Sequence, residues 1–155
     1  MQEVKSKLNY EALLWSIALP GFGQFINKKI VKGIVLIFFE VIINVMSNFN
    51  LAIVESFNGN IYRAIEITNY QWLMFYPCFY MYSLWDAFRD SNTGLDRYLY
   101  LPFAFSAYFV TVGLIYSARI TIFGVLIGPV FLPMLFVIPG LIIGFTIRKI
   151  VTFKY

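Results

Sequence analysis

From Gly33 to Val54 the chain runs through twenty-two consecutive positions with a single ionisable side chain, Glu40. A helix rises 1.5 Å per residue, so about 20 apolar residues cross the roughly 30 Å hydrocarbon layer of a bilayer. A stretch like this has two outlets: the interior of a large soluble domain, or a membrane. Composition decides between them. Of the 155 residues 60% are hydrophobic and only 13% charged, whereas soluble domains carry about a quarter charged residues. So little polar surface cannot cover a water-facing shell, and the expected solvent is a bilayer.

Three further runs extend this pattern. Gln71–Phe88 carries Trp72 and Trp85 near its two ends, where indole rings suit the headgroup boundary. Tyr98–Ala118 has Pro102 in its first turn, where a missing backbone donor costs least. Ile120–Ile147 is broken by Gly124, Gly128, Pro129, Pro133, Pro139, Gly140 and Gly144. It predicts a bent or partly unwound entry to about Pro133, then helix to Arg148. The first apolar run, Ala12–Ile26, is short and interrupted by Pro20-Gly21, which predicts a bend. Between the runs lie Glu55–Tyr70, turning at Asn58-Gly59-Asn60, and the solvated turn Arg89–Arg97. No repeat or low-complexity segment divides the chain. The expected fold is one all-α membrane domain: a re-entrant or interfacial segment over 11–32 and four spans near 33–54, 71–88, 98–118 and 130–147. A five-span arrangement, with the first run crossing, is the alternative. The basic start, Met1–Lys7, resembles a secretory leader, but no small-x-small cleavage site follows, so the segment is expected to be retained.

Lys and Arg accumulate on the cytoplasmic side of membrane proteins. If the first run re-enters, Lys5, Lys7, Lys28, Lys29, Lys32, Arg89, Arg97, Arg148, Lys149 and Lys154 share one side, and Arg63 and Arg119 the other. If it spans, Lys5 and Lys7 change sides and the bias weakens. The re-entrant arrangement is preferred, with both termini cytoplasmic in a bacterial cell membrane.

The chain has no His and one Cys, Cys78. That excludes a Cys/His zinc site, a Ser-His-Asp triad and an internal disulfide. No metal or cofactor is expected. The net charge of +4 sits at the ends of apolar runs, where orientation accounts for it better than nucleic-acid binding. Glu40, Asn44 and Asn48 recur at i, i+4, i+8, which places them in one polar stripe on a helix. Such a stripe inside a membrane reads either as an ion, proton or ligand site or as interhelical hydrogen bonding, with Glu40 protonated or paired to Lys29, Lys32 or a tyrosine of the third run. Asp86 follows Trp85 and pairs at i, i+3 with Arg89, as an interfacial anchor would; it is also the second carboxylate on the side of Glu40. The turn holding Gly21 and Gly23, with Lys28, Lys29 and Lys32, reads either as a backbone nest for an anionic lipid headgroup or as a tight turn against a neighbouring helix.

Leu19-Pro20-Gly21-Phe22-Gly23-Gln24-Phe25, then Lys32-Gly33, then Trp85-Asp86 resemble the transmembrane-two domain and small bacterial membrane proteins opening with a Pro-Gly-x-Gly-Gln-Phe turn. The domain's charged turn is replaced here by Gln24–Asn27, and the final two runs have no counterpart in it. The resemblance implies a membrane hairpin and no reaction. The expected role is a non-enzymatic multi-pass scaffold or regulator that associates with itself or other membrane proteins. The alternative is a small channel or transporter lined by Glu40, Asn44 and Asn48. An enzyme would have to rest on Glu40, Asp86 or a tyrosine.

Overall fold

The computed structural model describes residues 8–153; Lys5, Ser6, Lys7 and Lys154 therefore lie outside the described residues. The described chain is all-α, 74% helical. In chain order the helices are α1 (Glu11–Ala18), α2 (Phe22–Ile26), α3 (Ile30–Ser47), α4 (Phe49–Phe57), α5 (Ile61–Ile67), α6 (Tyr70–Leu73), α7 (Tyr76–Asp90), α8 (Leu101–Tyr116) and α9 (Gly128–Phe153). A two-stranded hairpin, β1 (Thr121–Ile122) and β2 (Val125–Leu126), precedes α9.

Two of these helices, α3 and α9, are long and apolar enough to cross a membrane. At 1.5 Å per residue they measure about 27 Å and about 39 Å. The second apolar run is not one helix to Val54. It breaks at Asn48, which adopts a left-handed conformation (φ 56°) between α3 and α4. Asn tolerates that region because its short polar side chain bonds locally, and here its amide donates to the Ile67 carbonyl (3.0 Å).

The largest departure from the sequence expectation is the fifth run. It is helical from Gly128, not from about Pro133, and the chain ahead of it pairs as a β-hairpin rather than entering as unwound coil. Pro129 sits in the first turn, where no donor is required. Pro133 and Pro139 each remove one hydrogen bond, which is tolerated because α8 packs antiparallel along the helix. The backbones approach so closely that a side chain at Gly140 or Gly144 would strike Ser106 or Pro102.

The first run reverses direction. Tyr10 stacks on Phe88 (5.4 Å between ring centroids), and Tyr80 donates to the Ile17 carbonyl (2.8 Å), so α1 runs antiparallel to α7. Gly21 then turns the chain (φ 105°), and Asn27, just past α2, is back beside Ala87, donating to its carbonyl (2.7 Å). A side-chain carbon at Gly21 would lie 2.7 Å from the Gly33 carbonyl oxygen, so only glycine fits both the angle and the space.

These contacts give the molecule two ends. One gathers the start of α1, residues 27–32, the α7–α8 turn and the C-terminal part of α9, tied by Asn92 to Asn9 and by Arg148 to Asp96. The other gathers residues 47–73 and 114–131, tied by Ser47 to Asn69 and by Tyr70 to Ser117. Lys28, Lys29, Lys32, Arg89, Arg97, Arg148 and Lys149 belong to the first end, and Arg63 and Arg119 to the second.

Candidate functional site

Two polar constellations are buried in this scaffold, and they are separate. The first is centred on Asp86, whose side chain is 1% exposed. Its Oδ1 accepts from Lys32 Nζ (2.8 Å) and Arg89 Nη2 (2.9 Å), and its Oδ2 from Gln24 Nε2 (3.2 Å). Gln24 is wholly buried and donates also to the Ser83 carbonyl (3.0 Å). Arg89 lies over the Trp85 ring, 4.4 Å from its centroid, and Asp90 closes the group by accepting from Lys32 and Arg89 (3.2 Å each).

Each member is placed by its local backbone. The Gly21 turn brings α2 back along α7, and a side chain at Gly23 would collide with the Ala12 carbonyl, the Ser16 hydroxyl and Ala87. That close approach brings Gln24 within reach of α7. Lys32 lies in the first turn of α3, facing the last two turns of α7. With two cations and two carboxylates the group is neutral and internally satisfied at its charged atoms. It is a clasp joining α2, α3 and α7. Burial alone would raise the pKa of Asp90, but the hydrogen bonds and charges of Lys32 and Arg89 outweigh it and hold it below the usual carboxylate value. The stability Asp90 contributes is therefore fully present above its ordinary pKa and is lost as pH falls through the lowered one.

The second constellation is on α3. Glu40 is 6% exposed, and its Oε1 accepts from Asn44 Nδ2 (2.9 Å) and from the Tyr76 hydroxyl (3.2 Å). Glu40 Oε2 and Asn44 Oδ1 are buried without a partner.

The structure thus brings Glu40 and Asn44 together and adds Tyr76. It turns Asn48 away to Ile67, because the helix ends one residue earlier. Asp86 is fully buried rather than sitting in the open interface, and it does not join Glu40: its partners come from α2, α3 and α7. Gly21 and Gly23 serve close packing, and Lys32 is engaged by Asp86 and Asp90. Lys28 has a left-handed backbone (φ 59°) and, like Lys29, is exposed; neither has a carboxylate partner among the described residues. Sequence reasoning missed Gln24 and Asp90 as members of the clasp, and Asn27 as a donor to the Ala87 carbonyl beside it. The available signal was Gln24 itself, an amide inside an otherwise apolar turn. Among the described residues, no group of three or more His, Cys, Asp or Glu could hold a metal ion. Set against known proteins, the chain matches no family model, no curated protein and no solved structure.

Proposed function

We propose that this chain is a non-enzymatic, multi-pass protein of a bacterial cytoplasmic membrane that acts as a scaffold or regulator through helix–helix association. The observation that carries the reading is how little of its most apolar helices is covered. Only 28% of the most apolar window of α3, and of α9, is buried, whereas the core helix of a soluble protein would be mostly enclosed. Ile30, Val31, Ile34, Val35, Phe38 and Val45 on α3 all face outward. Their natural neighbours are lipid tails and other apolar helices.

On this reading α3, α6–α7, α8 and α9 supply four spans, and α1–α2 is a re-entrant hairpin that enters and leaves on the cytoplasmic side. The reversal at Gly21 and the gathering of seven of the nine described basic residues at one end support that arrangement. Gln24 and Lys32 meet Asp86 although more than fifty positions separate each from it, which ties the hairpin to α7.

The measurement is fluorescence energy transfer between donor- and acceptor-labelled copies of the full chain in dilute liposomes, with and without membrane proteins that co-purify in mild detergent. Transfer that persists on dilution with lipid, or binding to a co-purifying polypeptide, supports the scaffold. A chain that stays monomeric and alone under both conditions overturns it. The second reading, a small channel or transporter, is favoured by one observation: the unpartnered buried oxygens of Glu40 and Asn44.

A further inference from the structure

We propose that Glu40, Asn44 and Tyr76 form a buried site for one small monovalent cation, a proton or a sodium ion, held between Glu40 Oε2 and Asn44 Oδ1. The inference deepens the second reading above and rests on membrane insertion of α3.

The argument starts from hydrogen-bond accounting. Buried polar atoms are normally paired, and an unpaired one costs free energy. Of the seven unpaired buried polar side-chain atoms among the described residues, Glu40 Oε2 and Asn44 Oδ1 are oxygens on side chains one helical turn apart and already joined by a hydrogen bond: Asn44 Nδ2 donates to Glu40 Oε1 at 2.9 Å. Each orphan is the other oxygen of the same carboxyl, or the oxygen of the same amide. Neither oxygen has a donor, and one positive particle shared by both would satisfy them. A proton on Oε2 would donate to Asn44 Oδ1 and close an acid–amide ring of two hydrogen bonds. A sodium ion would bind both oxygens directly.

Charge accounting gives the same result. A carboxylate held away from water without a counter-charge is costly, and no Lys or Arg pairs with Glu40 among the described residues. Lys32 and Arg89 are committed to Asp86 and Asp90. On α7 the titratable neighbours are Tyr76, which donates to Glu40, and Tyr80, whose hydroxyl donates to Ile17; α4 brings Phe49 against Tyr76. One carboxylate without a counter-charge matches a monovalent occupant, whereas a divalent ion would leave the buried site with a net positive charge.

The test is infrared spectroscopy of the full chain in phosphatidylcholine vesicles at pH 7. Spectra are recorded in sodium chloride and in choline chloride and compared with those of Glu40→Gln. A protonated-acid carbonyl band, lost in Glu40→Gln and indifferent to sodium, identifies a proton. A carboxylate band that shifts when sodium replaces choline identifies sodium. Asn44→Leu keeps the site readable if Glu40→Gln does not fold. It removes the second oxygen, so the acid band should move toward that of an unbonded acid, or the sodium concentration for half-shift should rise at least tenfold. A Glu40 carboxylate band identical in both salts overturns the site. Flotation of the vesicles separates the two failures: a chain that does not float with lipid removes the membrane reading as well, whereas one that floats with an insensitive carboxylate removes only the site.

Discussion

At the residue scale, Asp86 shows how burial makes an ion pair asymmetric. Its side chain is 1% exposed, while Lys32 and Arg89 are each 43% exposed. Removing the carboxylate lets both cations turn toward water; removing the cations strands a charge that cannot leave. Breaking a fully buried pair costs about 3–5 kcal/mol, and the exposure of the cations lowers the figure for Asp86→Asn to on the order of 2 kcal/mol. The Lys32→Met, Arg89→Met double variant should be the more destabilised of the two, although it deletes no buried group. Thermal unfolding in mild detergent reads the order, and equal losses would mean that Asp86 is not held by these cations. The adjacency Trp85-Asp86 and the Arg89 pairing were legible in the sequence. The burial was not, because what covers Asp86 arrives from Gln24 and Lys32, 62 and 54 positions away. The pairing of Glu40 with Asn44 was legible because i, i+4 is a property of one helix. Asn48 fell out of the stripe because a single left-handed residue ended that helix.

At the element scale, the hairpin ahead of α9 holds a conformational mismatch. Phe123 has a left-handed backbone (φ 52°), followed by Gly124 at φ 80°, and its side chain is fully exposed. Both central residues of such a two-residue turn need positive φ, which suits Asn-Gly far better than Phe-Gly. Phe123→Asn gives up no contact inside the chain and should raise stability by about 0.5–1 kcal/mol, read as a higher unfolding temperature in detergent. A lower temperature would show that the ring has a binding role at that tip. The same element explains why the fifth run was misjudged. Seven Gly and Pro positions read as breaks, but a proline in the first turn costs little, and the glycines at 140 and 144 mark where α8 presses against the helix.

At the scale of the whole molecule, the two ends make orientation testable. Single cysteines replacing Gly59 and Thr93, in a Cys78→Ser background, stand at opposite ends of the helices. In intact cells a membrane-impermeant thiol reagent should label the first and spare the second. The reverse pattern would invert the arrangement, and labelling of Ser6→Cys from outside would favour five spans over a re-entrant hairpin. Run lengths were enough to place the apolar segments that form α3, α8 and most of α9. They gave no information on how α1–α2 docks, since that depends on one glycine at φ 105° and on contacts with α7.

The spacing of the clasp along the chain also sets a schedule. Gln24 and Lys32 leave the ribosome well before Asp86, and at about 5–20 residues per second the interval is roughly 3–12 s. For that time Gln24 on α2 and Lys32 on α3 are without the Asp86 carboxylate that receives them in the folded chain. Whatever shelters Gln24 and Lys32 then must give them up when α7 emerges. Docking of α2 and of the start of α3 is thus completed only after α7 has been made.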